Sequence, residues 1–213
     1  MNKHTFIAAA AVAATLSSAA AFADITANVG VATTYLWRGT NLSASAPQVS
    51  GGVDYSHESG FYAGIWHGSE GAYAGPETDI YLGFGGEVEG ISYDVGFISY
   101  KYLQQESLGF GTTNDFDEIY FGLGYGPVGF TYAIDSDNET TYLTLSGEYE
   151  NISVTFGAYT FDQSPISDYS HIDISYALTD ALSVTYSIPS YDDASKAEDP
   201  ILVFSYGLEF EVK

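Results

Sequence analysis

The chain has 213 residues, 46% hydrophobic and 16% aromatic, with a formal charge of −23 and no cysteine. That acidity excludes nucleic-acid binding, which needs a basic surface to displace counterions, while so much hydrophobic and aromatic content argues against an acidic disordered chain. Without cysteine there is no disulfide scaffold, no thiolate metal site and no thiol nucleophile.

Residues 1–23 read as a cleaved secretory signal peptide. Lys3 and His4 open it, an apolar run covers Phe6 to Leu16, and a small-residue stretch ends in Ala21-Phe22-Ala23, an Ala-x-Ala cleavage pattern. The run is too short to span a bilayer as a helix. Cleavage before Asp24 removes Lys3 and leaves Arg38, Lys101, Lys196 and Lys213 as the cations of the remaining domain, 24–213. No later stretch holds the roughly 18 uninterrupted apolar residues of a membrane helix. If the exported chain enters a membrane, it must do so as strands closed into a barrel.

From Asp24 onward, apolar and small polar residues alternate with a period of two. Successive strand side chains point to opposite faces, so each such segment is apolar on one side and polar on the other. The first strand is expected from about Asp24 to Leu36, followed by a loop, Trp37 to Ala46. Strands follow at about 47–55, 61–67, 78–86 and 91–102, with turns at 56–60 and 87–90 and a long loop at 103–115. The second half repeats the plan with strands at 116–125, 128–134, 140–149, 152–161, 169–178, 182–188 and 200–212. Turns fall at 126–127, 150–151 and 179–181.

Long and short connections therefore alternate through twelve strands. An even strand number, short turns at one end and longer loops at the other are the plan of an outer-membrane β-barrel, with the turns periplasmic and the loops external. The expected fold is all-β: a transmembrane, antiparallel, up-and-down barrel. The 19 Tyr, 13 Phe and 23 Gly suit its walls, with aromatics at both interfaces and Gly where strands bend or the lumen is tight. The mean hydropathy, too low for a helical membrane protein, is that of a barrel whose alternate residues are polar. The last strand, Ser205 to Val212, resembles the C-terminal strand that outer-membrane barrels present to their assembly machinery, although it ends in Val212-Lys213 and not in Phe.

Several segments are also similar to the TorF-type porin family of proteobacteria. They are Thr33 to Gly39 (TTYLWRG), Asp54 to Gly64 (DYSHESGFYAG), Glu77 to Tyr81 (ETDIY), Ser92 to Gly96 (SYDVG) and Phe116 to Tyr120 (FDEIY). The resemblance spans most of the chain after the signal and keeps the order of the segments. It implies an outer-membrane porin and no particular solute.

If the apolar face meets lipid, the alternate positions line the lumen. The pore-lining candidates are Asp54, Asp79, Asp94, Glu118, Glu148, Asp173, Glu209 and Glu211, with Tyr81, Tyr120, Tyr142 and Tyr159. A ring of carboxylates favours cations; Asp94, Glu118 and Asp173, flanked by apolar neighbours, are the leading members. Acids at strand ends can instead sit in headgroup water. Arg38 is expected at the outer end of the first strand. There it pairs bidentately with a lumen carboxylate and sets the pore width, or anchors the first loop, or binds lipopolysaccharide phosphate. Gly83, Gly85, Gly96, Gly122, Gly124, Gly157 and Gly207 share the lumen face and leave space for Tyr or an infolded loop.

Other readings are weaker. His171 and Asp173 share a face near the outer rim and could form a hydrolytic base with its orienting carboxylate. The acidic loop Asp135 to Glu139 offers hard oxygens to a divalent cation but lacks EF-hand spacing. No phosphate loop, dinucleotide fingerprint or zinc spacing occurs, so no cofactor is expected. The sequence points to passive diffusion of small hydrophilic solutes with a cation preference. Its partners would be membrane lipid, lipopolysaccharide and the barrel assembly machinery. The alternatives are a plugged barrel binding a ligand or lipid at its rim and a rim hydrolase.

Overall fold

The computed structural model describes residues 24–69, 75–102, 115–135, 139–161, 167–193, 195 and 198–212; the signal segment 1–23 lies outside them. Twelve antiparallel strands form the wall: β1 (Asp24–Ala32), β4 (Gln48–Ser56), β5 (Phe61–Gly68), β6 (Glu77–Val88), β7 (Ile91–Tyr102), β8 (Phe116–Tyr125), β9 (Val128–Asp135), β10 (Thr140–Tyr149), β11 (Ile152–Phe161), β12 (Tyr169–Ala177), β13 (Leu182–Tyr191) and β14 (Ile201–Glu211). Each pairs with its neighbours in sequence, and β14 closes on β1, with Asn28 opposite Glu209 and Gly30 opposite Gly207. Closure gives every wall strand a partner on each side, the condition for strands in hydrocarbon. No helix among the described residues is long and apolar enough to cross a membrane.

Alternation decides the two faces. Ile119, Phe121, Leu123 and Tyr125 of β8 point out and are 42–70% exposed, while Glu118 and Tyr120 between them point in and are buried. The same division holds around the ring: Val29, Val53, Leu82, Val95, Leu145, Phe156, Ile174 and Phe204 all face outward and exposed. This outward apolar band has no protein to cover it, and lipid is the medium that suits it.

Two corrections concern the wall. The first strand stops at Ala32, four residues short of the expected Leu36, and the chain then turns into the barrel. Strand β13 runs past Ile188 through Pro189 to Tyr191. Pro189 has no N–H to give, but β13 pairs with β14 only from Leu182 to Ser187, so beyond that the strand is an edge. Outward aromatics also depart from a girdle at both interfaces. Tyr125, Tyr149, Tyr176 and Phe210 ring the short-turn end, whereas at the long-loop end the described aromatics largely turn inward.

Candidate functional site: an infolded hairpin docked in the lumen

The connection after β1 folds inward as a small hairpin, β2 (Leu36–Trp37) and β3 (Thr40–Asn41). Arg38 and Gly39 form its tip with φ of 49° and 82°. Positive φ at both central residues is the signature of a type I′ turn, whose twist matches a tight hairpin. Arginine is an unusual first residue for it, because a side chain in the left-handed region is strained. Gly39 is required twice over: its φ is left-handed, and a Cβ there would run into the Cβ and ring of His171 on β12.

The segment holds itself together at its base. The Tyr35 N–H donates to Ser43 Oγ at 2.9 Å, the Leu42 N–H to the Tyr35 carbonyl at 2.9 Å, Thr34 Oγ1 to Asn41 Oδ1 at 2.7 Å, and Ser43 Oγ to the Ala46 carbonyl at 2.7 Å. These bonds satisfy backbone groups that a chain crossing the lumen would otherwise leave unpaired. From that base the hairpin reaches across the barrel. Tyr35 packs on Trp66 of β5 at 6.0 Å between ring centroids, and Trp37 meets Tyr100, Phe116 and Tyr159 at 5.9–6.3 Å.

Arg38 is the anchor. Its Nη1 donates to Glu118 Oε1 at 2.7 Å and its Nη2 to Glu118 Oε2 at 2.6 Å, a fork-to-fork pair. Tyr100 also donates to Glu118 Oε2, at 3.1 Å. The guanidinium carbon lies 4.4 Å from the Trp37 ring centroid, 4.2 Å from Tyr142 and 5.3 Å from Tyr159, within cation–π range. Burial alone would lower the Arg38 pKa, but the Glu118 carboxylate holds it well above its ordinary value. Three further carboxylates, Glu77, Asp79 and Asp135, are 0–7% exposed in the same end of the lumen.

The remaining expected residues divide between the hairpin's end of the lumen and the far end. Asp54 accepts hydrogen bonds from Asn28 and from the Tyr81 hydroxyl; Asp94 accepts one from Tyr62 at 2.7 Å, whose hydroxyl also meets that of Tyr120. Asp79 is buried on the same inner face. Tyr142 and Tyr159 form the cage and, with Tyr169, an inward aromatic stack. Glu148, Glu209 and Glu211 share the inward register at the short-turn end but are exposed there. They are not brought together with Arg38. Asp173 lies 3.1 Å from His171 Nδ1, although poorly aligned for a hydrogen bond.

The inward Gly positions do leave room for Tyr: a Cβ at Gly64 would overlap Tyr81, and one at Gly96 would overlap Tyr120. Below the hairpin the inner face changes character. Thr131, Thr144, Ser146, Thr155, Ser175, Thr185 and Ser205 line the short-turn half, partly exposed, with Gly between them. The lumen is therefore in two parts, an aromatic half holding the hairpin and a hydroxyl-lined vestibule whose charged groups are carboxylates. Among the described residues no Lys or Arg except Arg38 faces inward; Lys101 points out beside Asp115 and Asp117.

Arg38 lies beyond the outer end of the first strand, at a hairpin tip within the segment expected as a loop, and pairs bidentately with Glu118 on β8. Two expectations are corrected. Asp135 is not part of an exposed acidic loop: it ends β9, 2% exposed and facing inward, while 136–138 lie outside the described residues. His171 does not stand on an open rim. It is buried under Gly39, stacked on Tyr142, with Nε2 2.8 Å from the Tyr142 hydroxyl. Trp37, Gly39, Tyr100 and Tyr62 were not singled out as site residues. The available signal was the apolar run Tyr35-Leu36-Trp37 followed by a turn-forming Gly in a segment read as an external loop.

A closed twelve-stranded barrel with an apolar outer belt, a polar inner face and an infolded first loop is a porin-like β-barrel. The chain belongs to the family described as bacterial protein of unknown function (Gcw_chp), which it matches over residues 16–194. Among solved structures it is similar to a KdgM porin in complex with disordered oligogalacturonate (9% identity, TM-score 0.53, covering 89% of this chain and 99% of that one). It is also similar to a second structure of KdgM porin (8% identity, TM-score 0.51, with the same coverage). A search of curated proteins found no match.

Proposed function

We propose that the protein is an outer-membrane porin of the TorF type that passes small hydrophilic solutes with a preference for cations. The observation that carries this reading is the sorting of charge. Carboxylates accumulate on the inner face, Arg38 is the single inward Arg or Lys among the described residues, and Arg38 is already neutralised by Glu118. An acidic lumen with low-dielectric walls concentrates cations and repels anions.

The reading includes export through a cleaved signal, insertion by the barrel assembly machinery through β14, contact with lipid and lipopolysaccharide, and transport without catalysis or cofactor. A rim hydrolase finds little support, since His171 is enclosed. A plugged barrel is the second reading, favoured by the hairpin that crosses the lumen.

The test is single-channel conductance of the refolded protein, residues 24–213, in a planar bilayer under a salt gradient. Discrete steps with a cation-selective reversal potential support the porin. An inserted barrel without steps refutes it in favour of the plugged form. Steps with anion selectivity refute the assignment of the inner carboxylates.

A further inference from the structure

We propose that the pocket around Glu118 is a binding site for a planar organic cation of the guanidinium class, which Arg38 fills as a tethered stand-in. A guanidinium-bearing solute then competes with Arg38 and frees the hairpin. The effect on current rests on the porin reading; the binding itself does not.

The pocket belongs to the wall. Glu118 on β8 supplies two carboxylate oxygens in a plane, Tyr100 on β7 a phenol, and Tyr142 and Tyr159 on β10 and β11 two ring faces. Only Trp37 comes with the hairpin. Two parallel N–H donors to one carboxylate, with the carbon of the cation over aromatic rings, is a geometry that a delocalised planar cation satisfies. A spherical metal cation or a compact ammonium uses only part of it.

Glu77, Asp79 and Asp135 join Glu118 at the loop end, all at most 7% exposed. A vestibule whose charged groups are carboxylates raises the local concentration of cations on the other side of the hairpin. A tethered group competes at an effective concentration of roughly millimolar for short flexible links, which free solute can match.

The experiment compares the parent with Arg38→Ala, using methylguanidinium as the probe and tetramethylammonium and potassium as controls. Calorimetry on refolded, detergent-solubilised barrel measures binding, and planar-bilayer recording measures current. Arg38→Ala is expected to bind methylguanidinium at least tenfold more tightly than the parent, with little response to tetramethylammonium. Glu118→Gln on the Arg38→Ala background is expected to abolish that binding. In current the signs oppose: methylguanidinium raises conductance of the parent by releasing the hairpin and lowers that of Arg38→Ala by filling its empty cage.

Equal affinity in parent and Arg38→Ala, or binding that survives Glu118→Gln, overturns the proposal. If Arg38→Ala does not refold, Arg38→Lys serves: it keeps charge without the fork, and binding stronger than the parent's is expected, with unchanged binding counting against the site. Binding without any conducting barrel leaves the site standing and removes the porin. Conduction without binding does the reverse.

Discussion

The hairpin's hold on the wall can be measured by a double-mutant cycle on Arg38 and Glu118. Both groups are nearly out of water, with side chains 10% and 2% exposed, so surface screening does not dilute the pair. Removing one member of a buried pair leaves an uncompensated charge and costs about 3–5 kcal/mol, whereas replacing both by neutral groups is often close to neutral. Arg38→Met leaves the Glu118 carboxylate stranded among Tyr100, Tyr142 and Tyr159. Glu118→Gln leaves the guanidinium facing an amide. At 1.36 kcal/mol per decade, each single change shifts the docked-to-released ratio by roughly 100-fold to several thousand-fold. A hairpin docked almost all the time becomes one released much of the time. The double variant Arg38→Met/Glu118→Gln strands no charge and packs a thioether against three rings. It is expected to recover at least about 2 kcal/mol of the combined loss. The assay is single-channel recording, with the released fraction read from dwell times in the larger-conductance state and pore width checked by exclusion of neutral polymers. Single variants that conduct like the parent, or a double variant whose effect is the sum of the singles, would refute the latch.

Gly39→Ala adds a Cβ at a left-handed residue against His171 and is expected to raise the open-state fraction without touching any charge; unchanged dwell times would count against tip docking. Asp54, Asp94 and Asp173 changed together to Asn are expected to shift the reversal potential toward zero under a salt gradient. Glu118 is left out because Arg38 already neutralises it, and an unaltered reversal potential would remove these residues from the ion path. Phe121→Lys places a cation in mid-span on the outward face of β8 and is expected to lower stability in vesicle refolding by roughly 2–4 kcal/mol. The inward Thr131→Lys is expected to cost far less in the same denaturant titration, and equal losses would mean that the faces are misassigned.

The wall was legible because its information is local. A period of two and short polar or Gly-bearing turns are properties of neighbouring residues, and they placed strands β4 to β12 within a residue or two. Face assignment followed at once, since a one-residue shift would turn every apolar side chain into the lumen. Asp54, Asp79, Asp94, Glu118 and Tyr81 all face inward as alternation requires. The hairpin was not legible in the same way. Tyr35 and Leu36 continue the apolar character of β1, so periodicity extends the strand through them. What ends β1 at Ala32 is tertiary: Leu36 packs on Ala32 and Val203, and Trp37 finds Tyr100, Phe116 and Tyr159. The bidentate pairing of Arg38 could be anticipated from its being the lone Arg of a polar lumen. Its partner, 80 positions away on a strand across the barrel, could not be chosen from among the candidate carboxylates.

Two-part construction of the lumen separates two properties that a uniform pore would couple. In the loop half the inward side chains are large and ringed, so a small movement of Trp37 and Arg38 changes the free cross-section by the size of a side chain. In the vestibule Thr, Ser and Gly leave space, and what Asp94, Asp173, Glu148 and Glu209 contribute is potential rather than obstruction. Width should therefore answer to Arg38, Gly39 and Glu118, and sign selectivity to the vestibule carboxylates. Releasing the hairpin exposes Glu118 to the lumen and withdraws the Arg38 charge that neutralises it. The wider state is thus also the more acidic, and opening should sharpen cation preference instead of relaxing it. A passively widened pore does the opposite, because its walls recede from the ion and water screens them.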